Sequence, residues 1–406
     1  MNASGTIHPL KRLGIFGVLM ACAGQSVVTS PGTTATSSEI SVADLRSRLY
    51  LYADDSMMGR EAGTPGNAKA TAYLAAEAKR LGLEPAGENG TYFQEIKATS
   101  TRFPGSAAPG TARNVIAIIR GSDPVLRNEY VSIGAHNDHV GVRGTAVDHD
   151  SLRAFNAELA RLGGRWDRTI PAERRAAIRA SVRVNMDSLR KIRPGRRDSI
   201  SNGADDDGSG TVALLEIAEA IAASPVKPKR SILFVWHTAE EKGLLGAKWF
   251  TENPTVPRSS IVAQLNMDMV GRGGAADIAG GGPDYLQLVG SRRVSTELGD
   301  LVEQINSASP RPFKFDYTFD QNGHPERIYC RSDHYMYARY GIPVTFFTTG
   351  LHPDYHQVTD EPQYVDYDRL QRVASFVHGI AIQVANLDHR LRVDKPVGDP
   401  SAACVQ

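Results

Sequence analysis

The sequence predicts an α/β protein with a central mixed, mostly parallel sheet flanked by helices on both faces. Three observations carry that expectation. Short apolar runs read as buried strands: Asn114 to Ile119, Tyr130 to Gly134, Ser231 to Trp236, Ile261 to Leu265 and Pro343 to Thr348. Helical patterns lie between them, at Val212 to Ile221 and Leu244 to Phe250. A final stripe of Leu370, Val373, Val377, Ile380 and Val384 has the spacing of one face of a long helix. Strands that alternate with helices are buried on both sides of a common sheet.

The remaining elements follow in order. Val42 to Leu83 is helical in two segments, one with Leu45, Leu49 and Leu51, the next with Tyr73, Leu74, Ala78 and Leu81. Gly82 and Pro85 stop the second. Val142 to Asp198 breaks the rhythm: it is arginine-rich, with helical runs around Leu152 to Leu162 and Ala172 to Leu189. It reads as a helical insertion in a domain spanning 42–390. A lid over the rim of the sheet and a solvated hairpin both remain open for it. Residues 391–406 read as a frayed C-terminal tail.

Composition narrows the partners. A chain of 406 residues can bury one large core or two modest ones, and its formal charge of +1 speaks against nucleic acid or a polybasic membrane surface. Lys11 and Arg12 precede an apolar run from Leu13 to Ala21, too short to span a membrane but suited to a signal peptide over 1–22. Leu19-Met20-Ala21-Cys22 resembles the bacterial lipobox, and Ala21-Cys22-Ala23 also offers an ordinary cleavage site. The expectation is an exported, periplasmic protein, with a lipid anchor at Cys22 as its one route to a membrane. A Ser/Thr-rich tether over 23–41 would follow. Cys330 and Cys404 are then the remaining cysteines, free to pair in an oxidising compartment.

The chemistry gathers at strand ends, where open α/β sheets hold their ligands. His136 and Asp138 follow the strand ending at Gly134, and Glu240 and Glu241 follow the one ending at Trp236. Adjacent residues of an extended segment point apart, so one glutamate can bind a metal while the other handles a proton. Asp268 follows Ile261 to Leu265, and His356 sits just past Pro343 to Thr348. Asp205, Asp206 and Asp207 form a Gly-rich turn before a helix, where their mutual repulsion calls for a cation. Taken singly, these are a structural histidine, an N-cap and loop residues. Together at successive strand ends they point to one shared site. Two histidines and three carboxylates suit a pair of zinc ions, with cobalt or manganese also allowed.

These motifs resemble the co-catalytic zinc aminopeptidases of the aminopeptidase Y and bacterial leucyl aminopeptidase type. The likeness is carried by Gly134 to His139, Gly203 to Gly210, Thr238 to Glu241, Asn266 to Met269, Arg331 to His334, and Tyr355-His356 with Asp360. It implies a three-layer zinc-exopeptidase fold and two zinc ions per chain. His136 and Asp268 would hold one ion, Glu241 and His356 the other, and Asp206 would bridge them. Glu240 would be the general base, Asp138 would orient His136, and Tyr355 would donate to the oxyanion. Asp333 and His334 would line the substrate pocket. His139 is expected beside the metals, and His237 as a core histidine.

The resemblance implies an exopeptidase acting on N-terminal residues of peptides. A carboxypeptidase or dipeptidase of the same fold is the alternative, with insertion arginines such as Arg143 or Arg153 taking a substrate carboxylate. A glutaminyl cyclase would need only one zinc, and a non-catalytic receptor domain would have lost ligands.

Overall fold

The structure is a computed structural model that describes Met1 and residues 36–97, 112–164 and 168–406. The expected signal peptide, Cys22 and most of the tether lie outside the described residues. The chain begins with helices α1 (Val42–Tyr52) and α2 (Pro65–Arg80). Short strands β1 (Glu84–Pro85) and β2 (Phe93–Glu95) precede β3 (Arg113–Ile119) and β4 (Tyr130–His136). The insertion contributes β5 (Gly141–Asp148), α3 (His149–Arg161), α4 (Ala172–Ser181), α5 (Met186–Ile192) and β6 (Arg197–Ser201). The core resumes with α6 (Gly210–Ala223), β7 (Ser231–His237), α7 (Leu245–Glu252), β8 (Ile261–Met267) and β9 (Tyr285–Val289). It ends with α8 (Thr296–Ser307), β10 (Lys314–Asp316), α9 (His334–Ala338), β11 (Val344–Thr348) and α10 (Tyr367–Asn386).

The main sheet runs β1-β3-β7-β4-β8-β11-β9-β10, with β2 also paired to β3. Its centre, β7-β4-β8-β11, is parallel, while β3 and β9 run antiparallel to their central neighbours. The carboxyl ends of the four central strands therefore lie along one rim. Each strand splits its side chains between two cores. Ile232, Phe234 and Trp236 of β7 pack with α1, α2, α6, α8 and α10, while Leu233 and Val235 face α7 and α9. All five residues of the α10 stripe are buried, each contributing roughly 1.5–3 kcal/mol of burial. Ser41 and Asp366 start α1 and α10 by accepting from the amides of Asp44 and Arg369. Gly82, at φ +71°, stops α2.

Four details depart from the sequence reading. Ala172 to Leu189 is two helices, because Val182 is extended and Asn185 starts a new helix by accepting from the Ser188 amide. The insertion is rooted on a two-stranded antiparallel ribbon, β5 with β6, whose polar, half-exposed residues carry no strand signature. The tail is anchored, not frayed. Cys330 and Cys404 are disulfide-bonded, which suits an oxidising compartment. Gln406 accepts from the Tyr329 amide and donates to the carbonyls of Phe319 and Gln321. The tether also ends earlier than expected: the Thr36 hydroxyl already donates to Glu219, at 2.6 Å.

One buried ion cluster joins α1, α2 and α6. Arg48 is fully buried and reaches Glu77 at 2.9 Å, Glu216 at 2.6 Å and Glu219 at 2.5 Å. Removing one partner of a buried charge cluster strands the others. Arg48→Met should lower the unfolding free energy by about 3–5 kcal/mol, measured as a shift of the urea unfolding curve. A shift under about 1 kcal/mol would show that Arg80, which also pairs with Glu77 and Glu219, holds the cluster without Arg48.

Candidate metal centre

The carboxyl-end rim gathers every expected ligand. His136 closes β4, and Glu240 and Glu241 follow β7. Asp268 follows β8, and His356 lies in the loop after β11. Asp206 comes from the tight turn that opens α6. His136 Nε2 lies 3.2 Å from Asp206 Oδ1 and 3.5 Å from Asp268 Oδ1. His356 Nε2 lies 3.2 Å from Asp206 Oδ2 and 2.9 Å from Glu241 Oε2. Asp206 thus offers one oxygen to each of two donor clusters. His139 comes as close as His356, with Nδ1 2.9 Å from Glu241 Oε1 and 3.7 Å from Asp206 Oδ2.

These atoms fit cations. His136 Nε2, Asp206 Oδ2, Glu241 Oε1, His356 Nε2 and both ring nitrogens of His139 are buried without a hydrogen-bond partner. Each unsatisfied buried polar group costs about 1–3 kcal/mol. Metals held by imidazole nitrogen and carboxylate oxygen would satisfy them together.

The three aspartates of the turn have separate tasks. Asp207 accepts from the amides of His136, Gly210 and Met269, and Asp205 accepts from the Gly271 amide. Asp360 accepts in turn from the amides of Asp205 and Asp206. Asp206 is left to face the histidines, and its peptide bond to Asp207 is cis. Gly203 begins the turn at φ +53°, where an added Cβ would sit 2.4 Å from the His139 ring. Ala239, Met269 and His356, none of them glycine, also have positive φ. Such positions cost energy and cluster at functional sites.

Burial pushes the Asp206 carboxyl up, but His136, His139 and His356 hold it well below the ordinary range. Burial and Asp206 raise Glu241, yet the adjacent imidazoles of His139 and His356 bring it down to about 2. Glu240 behaves oppositely. Burial pushes it well above the ordinary range; His136 opposes this, while Glu241, Asp268 and Asp333 add to it. Glu240 therefore lies outside the histidine pairings that hold Asp206 and Glu241 ionised. Burial also raises the Tyr355 hydroxyl well above its ordinary value, keeping it a neutral donor. Its ring stacks on His356 at 3.9 Å, and its hydroxyl receives a hydrogen bond from Arg331 at 3.3 Å.

Asp138 lies against His136, touching it more closely through its backbone than through its carboxylate. Its carbonyl oxygen, 3.1 Å from His136 Nδ1, sets the ring, while its carboxylate lies 3.7 Å away. The carboxylate accepts from the Glu240 amide instead, tying the two strand ends together. Asp333 and His334 do not line the pocket. Asp333 is fully buried, 3.3 Å from His237 Nδ1, and His237 is a core histidine whose Nε2 meets the Tyr337 hydroxyl at 2.9 Å. His334 is packed between Tyr329 and Phe346, and burial pushes it down to about 3. The start of α9 turns both side chains inward and leaves Arg331 and Ser332 at the site. There a small cavity of about 40 Å³ has Asp206, Glu240 and Asp268 on one side and Phe319, Ile328 and Phe346 on the other. The insertion arginines that the carboxypeptidase alternative would turn to a substrate carboxylate are engaged elsewhere. Arg143 donates to the His356 carbonyl and to Gln357, and Arg153 pairs with Asp354.

Ser332 carries no chemical signal of its own in the sequence. Its hydroxyl donates to Asp268 Oδ2 at 2.7 Å and accepts from Asn266 at 2.9 Å. Partners of this kind fix a ligand's orientation and are worth about 10–100-fold in metal affinity. Ser332→Ala should weaken one bound metal by that factor, read by competition with a chelator. Unchanged affinity for both metals would show that Asp268 needs no such support.

Residues 185–381 match the model of peptidase family M28. That stretch holds Asp206, Glu240, Glu241, Asp268 and His356; His136 lies before it. Leucine aminopeptidase 1 of Aspergillus fumigatus is 26% identical over 238 residues, 56% of this chain and 55% of the relative. The chain spans about half the length of the curated relatives it matches. A zinc-dependent exopeptidase from Parabacteroides distasonis superposes with a TM-score of 0.54 at 20% identity, covering 85% of this chain and 98% of that one. The Porphyromonas gingivalis glutaminyl cyclase does so at 0.54 and 19% identity, over 84% and 98%. At such identities the likeness is one of fold, shared by more than one chemistry, while the match to peptidase family M28 covers residues 185–381, just under half of the chain.

Proposed function

We propose that this chain is a zinc aminopeptidase that removes N-terminal residues from peptides with two metals in one site. The observation that carries the reading is the pair of donor clusters sharing Asp206, His136–Asp206–Asp268 on one side and Glu241–His356 on the other. A glutaminyl cyclase, with its single metal, has no use for the first cluster.

Bound there, zinc would supply Lewis acidity and acidify a water molecule. The chain's own groups do the rest. Glu240 stands outside both donor clusters, and its amide is fixed by Asp138. A carboxylate there takes a proton from the attacking water and returns it to the departing amine. The Tyr355 hydroxyl, kept protonated by burial and held near Arg331, donates to the oxygen that gains charge. The side chain of the first residue enters the cavity between Phe319, Ile328 and Phe346. Its free amine meets the carboxylates of Glu240 and Asp268.

Direction of attack separates this reading from a carboxypeptidase. Arg143 and Arg153 are held by the loop of residues 351–360, so they do not favour a substrate carboxylate. Leu-anilide should be cleaved roughly tenfold to a hundredfold faster than N-acetyl-Leu-anilide, the energy of leaving the two carboxylates unpaired. Preference for an N-blocked dipeptide with a free carboxylate would reverse the assignment.

Roles within the pair are tested by substitution. Glu240→Gln should cut kcat by about 100-fold or more with zinc content unchanged, whereas Glu241→Gln should lose zinc. The two variants exchanging phenotypes would assign base and ligand the other way round.

A further inference from the structure

We propose that His149, Asp198 and Glu361 form a further cation site that pins the root of the insertion to the core. His149 opens α3 and Asp198 lies in β6, so both belong to the insertion. Glu361 belongs to the core and directly follows Asp360, whose carboxylate holds the backbone of Asp205 and Asp206. One donor atom from each of the three lies within 4.8 Å of the others. Imidazole plus two carboxylates is a donor set for a divalent cation of zinc type, with water completing the shell.

The second observation is the state of His149. It is fully buried, and neither of its ring nitrogens has a hydrogen-bond partner. Nε2 faces Glu361 Oε1 at 3.8 Å, and Nδ1 lies 3.5 Å from Asp150, which Arg193 already occupies. A buried imidazole with no partner is costly, and separations near 4 Å are too long for direct hydrogen bonds. They leave room for an ion between the groups.

Surrounding charge is mixed. Arg196 is the cation whose field reaches both His149 and Glu361; Asp55 adds a negative charge beside Glu361. Asn202 approaches Glu361 at 3.5 Å while donating to Asp55, and Asp198 also accepts from the Ile200 amide. Burial and Arg196 push the His149 pKa down, against the pull of Asp150 and Asp198, so the ring stays in the neutral form that binds metal.

The test is a difference in metal content. Full-length protein is stripped with a chelator, reloaded with zinc, desalted and analysed for zinc per chain, beside His149→Ala and Asp198→Asn. Wild type should hold one equivalent more than either variant. Equal content in all three proteins would overturn the site. The two substitutions act from different elements, so a folding defect in one leaves the other to decide. Failure of the dinuclear reading would show as a lower wild-type total with the one-equivalent difference retained.

Discussion

The arrangement depends on one carboxylate presenting two oxygens to two histidines that come from opposite ends of the domain. Asp206 can do this because everything around it is fixed by neighbours with no ligand role. Asp207 spends both carboxylate oxygens and Asp205 one on backbone amides, and Asp360 holds the turn from the other side. In a low-dielectric interior, carboxylates at this spacing repel strongly unless positive charge sits among them. The fold supplies histidines for part of that charge and leaves orphaned donor atoms facing one another for the rest.

Sheet topology explains why the ligands can come from so far apart in the chain. With β4 between β7 and β8, and β11 beyond β8, four parallel strands end on one rim. Each strand delivers its ligand at or just past its last residue. The turns needed there are abrupt, which accounts for positive φ at Ala239, Met269 and His356. Such strain persists only where the surroundings over-determine it. Here they do: the Met269 amide is held by Asp207, its carbonyl by Thr349, and the His356 carbonyl by Arg143.

Much of this was legible from the chain alone, for reasons that differ by element. Fully buried strands read as apolar runs, and α10 shows its stripe because one face meets the core. The ligands were legible because His, Asp and Glu recur at successive strand ends. What escaped notice lacks periodicity or chemical identity. Ser332 matters only through its position between Asn266 and Asp268. The β5–β6 ribbon is polar because it lies outside the main sheet. The tail is fixed by a disulfide whose two cysteines the sequence offered as a possible pair, and by one glutamine side chain that leaves no pattern. Asp333 and His334 read as pocket residues because they neighbour Arg331 and Ser332, but of these four only Arg331 and Ser332 line the cavity.

The insertion is where sequence and structure differ most in meaning. Its arginines suggest a basic surface awaiting an acidic substrate, yet those nearest the site are used inside the molecule. Arg143 holds the carbonyl of His356, Arg153 pairs with Asp354, and Asn156 reaches Asp354 and Thr359. All three contacts fall on the loop that delivers His356. A loop carrying a candidate ligand in strained backbone needs external restraint, because short loops alone do not hold a side chain within a few tenths of an ångström. The insertion provides that restraint from a second layer of structure. Arg143 and Arg153 are therefore better explained by support of that loop than by charge on a substrate, while α4 and α5, which bury no residue, form a solvated part of the insertion.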